Sequence, residues 1–357
     1  MLLTGATGMV GREILARVAG DARFDRVLCL IRPPLNRLPA LLSAHGATDA
    51  RHVTGLAGDV TEPGLGIADA HALDDVTHVI HCAATVAFDH PLEDARRINV
   101  GGTRTILDVC RRLPKLERLD AVSTCYAAGK RRDLVREDDL THDCGFHNTY
   151  EQTKYESEEH LRAAMRDLPI AVHRPSIVVG DSRTGRTGSF KVLYWPLKVL
   201  ARGWLPVVPY DAEGRLDIVP VDFVASAIVA LSKEASAIGG TFHLAAGPGR
   251  DTTFGALAEH LSSRLGRRQL IRVKPIWWRR LIRPGLMLWP DKNLRKTLQV
   301  GVVYRPYLEL RLQFDTTRAD AHLQPMGVRC PAVITYIDTI VDAAVASDFG
   351  RRPVPST

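Results

Sequence analysis

The sequence predicts an α/β fold, a doubly wound parallel sheet with a smaller C-terminal lobe. Two patterns carry that expectation. Short apolar runs alternate with helical stretches through residues 1–180, as a parallel sheet with crossover helices requires. The first run meets the first helix at a glycine repeat, Gly5-Ala-Thr-Gly8-Met-Val-Gly11. The chain has 357 residues, 45% hydrophobic and 24% charged, enough for one large or two modest globular domains.

Taken in order, the opening strand is short, with only Leu2, Leu3 and Thr4 between Met1 and Gly5, so a few preceding residues are expected in the native chain. Glycines at this spacing make a tight turn, let backbone approach a pyrophosphate and allow close helix–sheet packing. The phosphates then meet the free N–H groups at the helix start. A second apolar run, 26–31, ends at Arg32, followed by Pro33, Pro34 and Arg37 with no acid between them. A basic residue after the second strand suits the 2′-phosphate of NADP(H), whereas an acid suits the 2′-hydroxyl of NAD.

Gly58-Asp59-Val60 follows a third run. A fourth, 76–84, ends in the small residues Ala83 and Ala84, which let a flat cofactor lie against backbone. The helix expected over 91–112 carries Asn99, a poor helix-interior residue and so a candidate for a polar task. The strand beginning at Leu119 ends in the hydroxyls Ser123 and Thr124, at the edge where such sheets bind ligands. Tyr150 and Lys154 then stand four apart at the start of a helix, on one face. An ammonium beside a phenol favours phenolate, so the tyrosine pKa is expected to fall from about 10 toward working pH. A sixth strand is expected over 170–180.

These pieces resemble, in order and spacing, an extended short-chain dehydrogenase/reductase over roughly residues 1–225. The resemblance is nearest to the fatty acyl-CoA reductase and thioester reductase branch, the male-sterility-type NAD-binding domain. It rests on Thr4–Gly11, Cys29–Arg32, Gly58–Asp59, His78–Phe88, Asn99–Thr103, Val122–Thr124, Tyr150–Lys154 and Arg174–Val178. The resemblance implies a Rossmann sheet in which Gly5, Gly8 and Gly11 cradle the pyrophosphate. Arg32, with Arg37, would meet the 2′-phosphate, Asp59 would lie by the adenine, and Ala83 by the ribose. Pro175 and Ile177 would back the nicotinamide, and Thr7, Met9, Val10, Val60 and Ala84 complete the cofactor set. Thr124 would orient the substrate oxygen and Tyr150 would donate the proton. Lys154 would hold the nicotinamide ribose, and Asn99 a relay water behind it.

The implied activity is NADPH-dependent reduction of a lipophilic acyl thioester, coenzyme A- or carrier-bound, to an aldehyde, with or without a second reduction to the alcohol. Two other readings stay open. One keeps the triad for a sugar-nucleotide epimerase or dehydratase, or a hydroxysteroid-like ketone reductase. The other is a non-catalytic NADP-binding regulator.

The division expected is a nucleotide domain over 1–180, completed by 215–247, a substrate lid over 181–214 and 248–349, and a loose tail over 350–357. The lid is rich in aromatic groups, including Tyr194, Trp195 and Trp204. Asp222 reads as a helix N-cap. In 271–289, Arg272, Lys274, Arg279, Arg280 and Arg283 interleave with Trp277, Trp278 and Trp289. That pattern suits an acyl channel with a basic mouth, a membrane-surface helix interrupted at Pro284-Gly285, or a packed lid with a solvated basic face.

Net charge is +7, which favours anionic partners, an acidic acyl carrier protein among them. No nucleic-acid motif appears, and no metal motif. No apolar run reaches the 18–20 residues or so of a membrane span. Six scattered cysteines with no C-x-x-C pair point to a reducing cytoplasm. A homodimer is a candidate assembly from the resemblance.

Overall fold

The computed structural model describes residues 1–44, 52–69, 71–203, 207–208, 210–268, 271–273, 275–288, 295, 298–299, 302 and 304–352. Trp204, Lys274 and Trp289 lie outside the described residues, as do the side chains of Arg37, Arg272 and Arg279.

Seven parallel strands form the central sheet. They are β1 (Leu2–Thr4), β2 (Val27–Ile31), β3 (Val53–Ala57), β4 (His78–His81), β5 (Arg118–Val122), Ile170–Pro175 and Thr241–Leu244. Across the sheet the order runs from Thr241–Leu244 through Ile170–Pro175, β5, β4, β1 and β2 to β3. The chain therefore winds outward from β1 to β3, then returns to β4 on the other side of β1. Ligands of open parallel sheets bind at such a reversal, beyond the C-terminal ends of the strands. β1 and β2 are buried throughout, and β2 accordingly reads as an unbroken apolar run.

Helices cover both faces. On one, α1 (Met9–Val18) packs with the Val221–Leu231 helix, joining Ile14, Leu15 and Val18 to Val224 and Ile228. On the other, the Gly102–Cys110 and Thr149–Ala164 helices bury Ile106, Leu107 and Leu161 against Leu119 and Val172. Each such fully buried aliphatic side chain contributes about 1.5–3 kcal/mol. A third core, including Tyr194, Leu197, Leu261 and Ile340, fills the C-terminal lobe.

Four local expectations need correction. The strand expected over 170–180 is split: the ladder ends at Pro175, which has no N–H to donate, and Ile177–Val179 pairs instead with Ile218–Pro220. The helix expected over 91–112 is Leu92–Arg96 and Gly102–Cys110 joined by a wide π-type turn, Arg97–Gly101, which holds Asn99. Asp222 is not the N-cap of its helix; Pro220 is. Asp222 instead accepts hydrogen bonds from Ser182 N at 2.9 Å and Ser182 Oγ at 2.7 Å, pinning the 181–189 loop.

The fourth concerns 271–289. Pro284-Gly285 does not interrupt the helical run: the wide π-type turn Trp278–Ile282 leads directly into the helix Arg283–Met287. The apolar side chains of the described part of the segment divide between two faces. Trp278, Ile282, Leu286 and Met287 pack into the lobe's core, while Trp277, Leu281 and Leu288 face out at 55%, 61% and 87% exposure. Among the described residues no helix is long and apolar enough to cross a membrane.

Candidate active site

The glycine turn is built by close approach. Gly5 has φ +74°, and a Cβ there would sit 2.7 Å from Ala83 N, on the loop after β4. A Cβ on Gly11 would fall 2.0 Å from the Gly5 carbonyl oxygen. Gly8 N–H closes the turn onto that same oxygen at 2.9 Å. Gly8 caps α1 with no side-chain hydrogen bond, and the first turn holds no acid. With no side-chain cap or acid in the way, the positive end of the helix start favours an anion. Behind the turn, Thr4 Oγ1 accepts from Ala83 N at 3.2 Å and bonds His81 Nδ1 at 2.8 Å. Burial, with some help from the Lys154 charge, pushes His81 down to about 3, so this imidazole is neutral.

Beside the turn opens a cleft of about 280 Å³. Gly8, Met9, Val10 and Ala84 line it. Thr124, Tyr150 and Lys154 converge on the same cleft, as do Pro175 and Ile177. Residues drawn from five separate stretches of sequence meet here because each lies at the C-terminal end of a strand or at a helix start beyond it.

Tyr150 sits in the first turn of the Thr149–Ala164 helix, which Asn148 caps by accepting from Glu151 N at 3.0 Å. Its phenol is pushed up to about 12 by desolvation, against the opposing hydrogen bond of Thr124. The expected fall in its pKa does not occur. Lys154 shares the helical face, but Nζ donates to Val122 O at 2.7 Å rather than addressing the phenol. Desolvation lowers Lys154 to about 8. Tyr150 is therefore a protonated donor throughout the neutral range, and Lys154 the group that titrates near it.

The remaining expected residues stand around this centre. Gly5, Gly11 and Ala83 form the turn and its backing. Thr7 is exposed beside them, and its carbonyl accepts from Arg12 Nη2 at 3.2 Å. Arg32 is exposed at the end of β2. Asp59 Oδ1 accepts from Thr61 N and Thr61 Oγ1, both at 2.9 Å, holding the turn after β3. Val60 is buried against Gly102 rather than in the cleft. Asn99 bonds Thr85 and Thr153 rather than reaching toward Lys154. Its Oδ1 accepts from Thr85 N at 2.8 Å, and its Nδ2 donates to Thr85 O at 3.2 Å and Thr153 Oγ1 at 2.9 Å. It ties the loop after β4 to the Tyr150 helix.

Sequence reasoning missed the aromatic wall. Phe88 stacks on Tyr150 at 5.8 Å and 29°, and on Tyr307 at 5.3 Å and 18°, while Tyr304 meets it edge-on at 5.8 Å. All four rings line the cleft. Phe88 stands inside one of the recognisable motifs, but nothing local announces that residues 304 and 307 fold back onto it.

The model of the family described as male sterility protein matches residues 3–228. The chain belongs to this family. The male sterility proteins are an NAD(P)-binding family, and the match bears out the resemblance carried by the motifs. Among relatives, fatty acyl-CoA reductase wat of Drosophila melanogaster is 30% identical over 274 residues, covering 64% of this chain and 53% of its own length. The hybrid PKS-NRPS synthetase mycA of Thermothelomyces thermophilus is 33% identical over 258 residues, 64% of this chain and 6% of that protein. The chain thus spans about half the length of the fly relative and a small part of the synthetase. Among solved structures, the terminal R domain from the myxalamid PKS-NRPS biosynthetic pathway superposes with TM-score 0.84 at 28% identity, over 99% of this chain and 92% of that one. A dinucleotide fits the male sterility fold as this chain builds it: the turn is a cradle that a Cβ would fill, and the helix start beyond it is uncapped. Among the described residues no cluster of His, Cys, Asp or Glu could hold a metal ion.

Proposed function

We propose that this chain is an NADPH-dependent reductase of lipophilic acyl thioesters, bound to coenzyme A or to a carrier protein. The observation that carries the reading is the convergence of Thr124, Tyr150 and Lys154 in an aromatic cleft beside an anion-ready glycine turn. The bound dinucleotide supplies hydride to the thioester carbonyl carbon. Thr124 and Tyr150 hold the carbonyl oxygen, and Tyr150, protonated up to about 12, gives it the proton. Collapse of the resulting hemithioacetal breaks its C–S bond, releasing thiol and aldehyde; a second round yields the alcohol. Phe88 and Tyr304 supply apolar surface for the acyl chain and keep water from the carbonyl.

Cofactor choice rests on Arg32. A charge-assisted hydrogen bond to a 2′-phosphate gives about a ten- to hundredfold preference for NADPH over NADH. Consumption of both cofactors is measured against a panel of acyl-CoAs, ketones and UDP-sugars. The reading expects NADPH oxidation with acyl-CoA and release of free thiol, and Arg32→Ala should level the two cofactors. Equal affinity of the unaltered protein for both removes Arg32 from this role, and turnover of UDP-sugars without NADPH loss favours an epimerase.

The pH dependence follows from Lys154. The ammonium is charged below about 8 and neutral above it. The rate should hold through neutrality and fall as pH rises through about 8, with no limb from Tyr150 in that range. A kcat/KM profile checks this, and Lys154→Met should lose both the limb and most of the rate. A profile flat to about pH 10 would remove the lysine charge from the mechanism.

A further inference from the structure

The male sterility fold explains Tyr150, but a buried carboxylate immediately after it has no part in the chemistry proposed so far. Glu151 is fully buried, in the first turn of the Tyr150 helix. Its Oε2 accepts from His147 N at 2.8 Å and faces His147 Nδ1 at 3.0 Å. Its Oε1 accepts from the Tyr307 hydroxyl at 2.6 Å. That hydroxyl in turn accepts from Asn148 Nδ2 at 2.8 Å, and Asn148 is the cap of the same helix. The hydroxyl therefore closes a ring of hydrogen bonds around the turn that carries the proton donor. Tyr307 belongs to a 3₁₀ turn of the C-terminal lobe, Arg305–Leu308, far away in sequence.

We infer that Tyr307 is a positioning residue that sets the phenol of Tyr150 through Glu151 and Phe88. Two routes converge on it. Through hydrogen bonds, it satisfies a carboxylate oxygen that would otherwise be buried without a donor, a costly arrangement that the helix turn would relieve by shifting. Through ring contacts, it closes the stack Tyr150–Phe88–Tyr307 and fixes the plane against which the phenol lies. Tyr126 meets Tyr307 edge-on at 5.4 Å and holds that ring from the side. Burial and the Glu151 carboxylate both push the Tyr307 phenol well above 10, so it remains the donor in this bond. Seating of the lobe's 305–308 turn thereby becomes part of assembling the donor. A misplacement of the order of 1 Å at a reacting group costs about a hundredfold in rate.

The inference rests on the reductase reading for its chemistry, but its test does not. Tyr307→Phe keeps the ring and deletes the hydroxyl; Glu151→Gln presents an amide to the same partners. Each is compared with the unaltered protein by thermal melting, by kcat and KM on whichever carbonyl compound the protein reduces, and by amide hydrogen exchange over residues 149–155 with no substrate present. Expected for Tyr307→Phe are a folded protein, faster exchange in that turn, and a kcat lower by about ten- to hundredfold with cofactor KM unchanged. The double variant should be little worse than either single one, since both remove the same contact. A folded Tyr307→Phe protein with undisturbed kcat overturns the inference, as does unchanged exchange over 149–155. If no thioester is reduced at all, the reductase reading fails while the exchange measurement still decides this one.

Discussion

Tyr150→Phe should fold, bind nucleotide as before, and turn over about 10²–10⁴-fold more slowly, the loss typical of a missing general acid. The substitution removes one oxygen and little volume. The ring keeps its stack on Phe88, and Thr124 Oγ1 keeps its hydrogen bond to Pro175 O at 3.3 Å. No neighbour can take over the proton. Thr124 is an aliphatic alcohol, and Lys154 Nζ is held on the Val122 carbonyl. Nucleotide affinity by titration and kcat by NADPH oxidation separate the two effects. A folded variant running near the unaltered rate would show that the phenol is not the donor.

Gly11→Ala should abolish nucleotide binding. The new methyl would lie 2.0 Å from Gly5 O and 2.7 Å from Gly5 C, both backbone atoms. Gly5 cannot retreat, because it is held at φ +74° with Cys82 and Ala83 backbone packed where its own Cβ would be. Either the turn opens, breaking the Gly8 N–H to Gly5 O bond, or α1 moves off the sheet. Overpacking of this kind costs about 1–3 kcal/mol or more in stability, and the phosphate cradle is deformed in both cases. Gly20→Ala is the control, since a Cβ there meets nothing within 4 Å. Dissociation constants for NADPH and melting temperatures of both variants settle it. An alanine at position 11 that binds NADPH within about tenfold of the unaltered protein would mean the cradle lies elsewhere.

Much of the nucleotide half was legible because its signals are local. The glycine spacing reports a turn within seven residues, and β2 announces burial by an unbroken apolar run. The Tyr150–Lys154 pair was legible as a face of a helix. What that pair does electrostatically was not, since the ammonium's partner is a carbonyl on β5 and the phenol's environment is set by rings from elsewhere. Asp222 carried the composition of a cap, but Pro220 already occupies that position and Ser182 offers two donors. Trp277 and Trp278 are adjacent and read alike, yet one faces out and the other packs inward, a difference set by helical phase in a wide turn. Tyr304 and Tyr307 had no local mark of function, because their partners lie in the loop after β4 and in the Tyr150 helix.

The strand pairs outside the central sheet limit how this protein can be rearranged. Gln313–Phe314 pairs in parallel with Leu134–Val135, and Ile218–Pro220 with Ile177–Val179. Thr241–Leu244 returns to complete the edge of the sheet beyond Ile170–Pro175. Each pairing closes a loop between distant parts of the chain, and such non-local contacts slow folding. A chimera that grafts a relative's C-terminal region at a single junction near residue 247 would separate Leu134–Val135 from its partner strand. Exchange of substrate range by recombination therefore needs at least two crossovers, one of them inside the loop that precedes the Tyr150 helix.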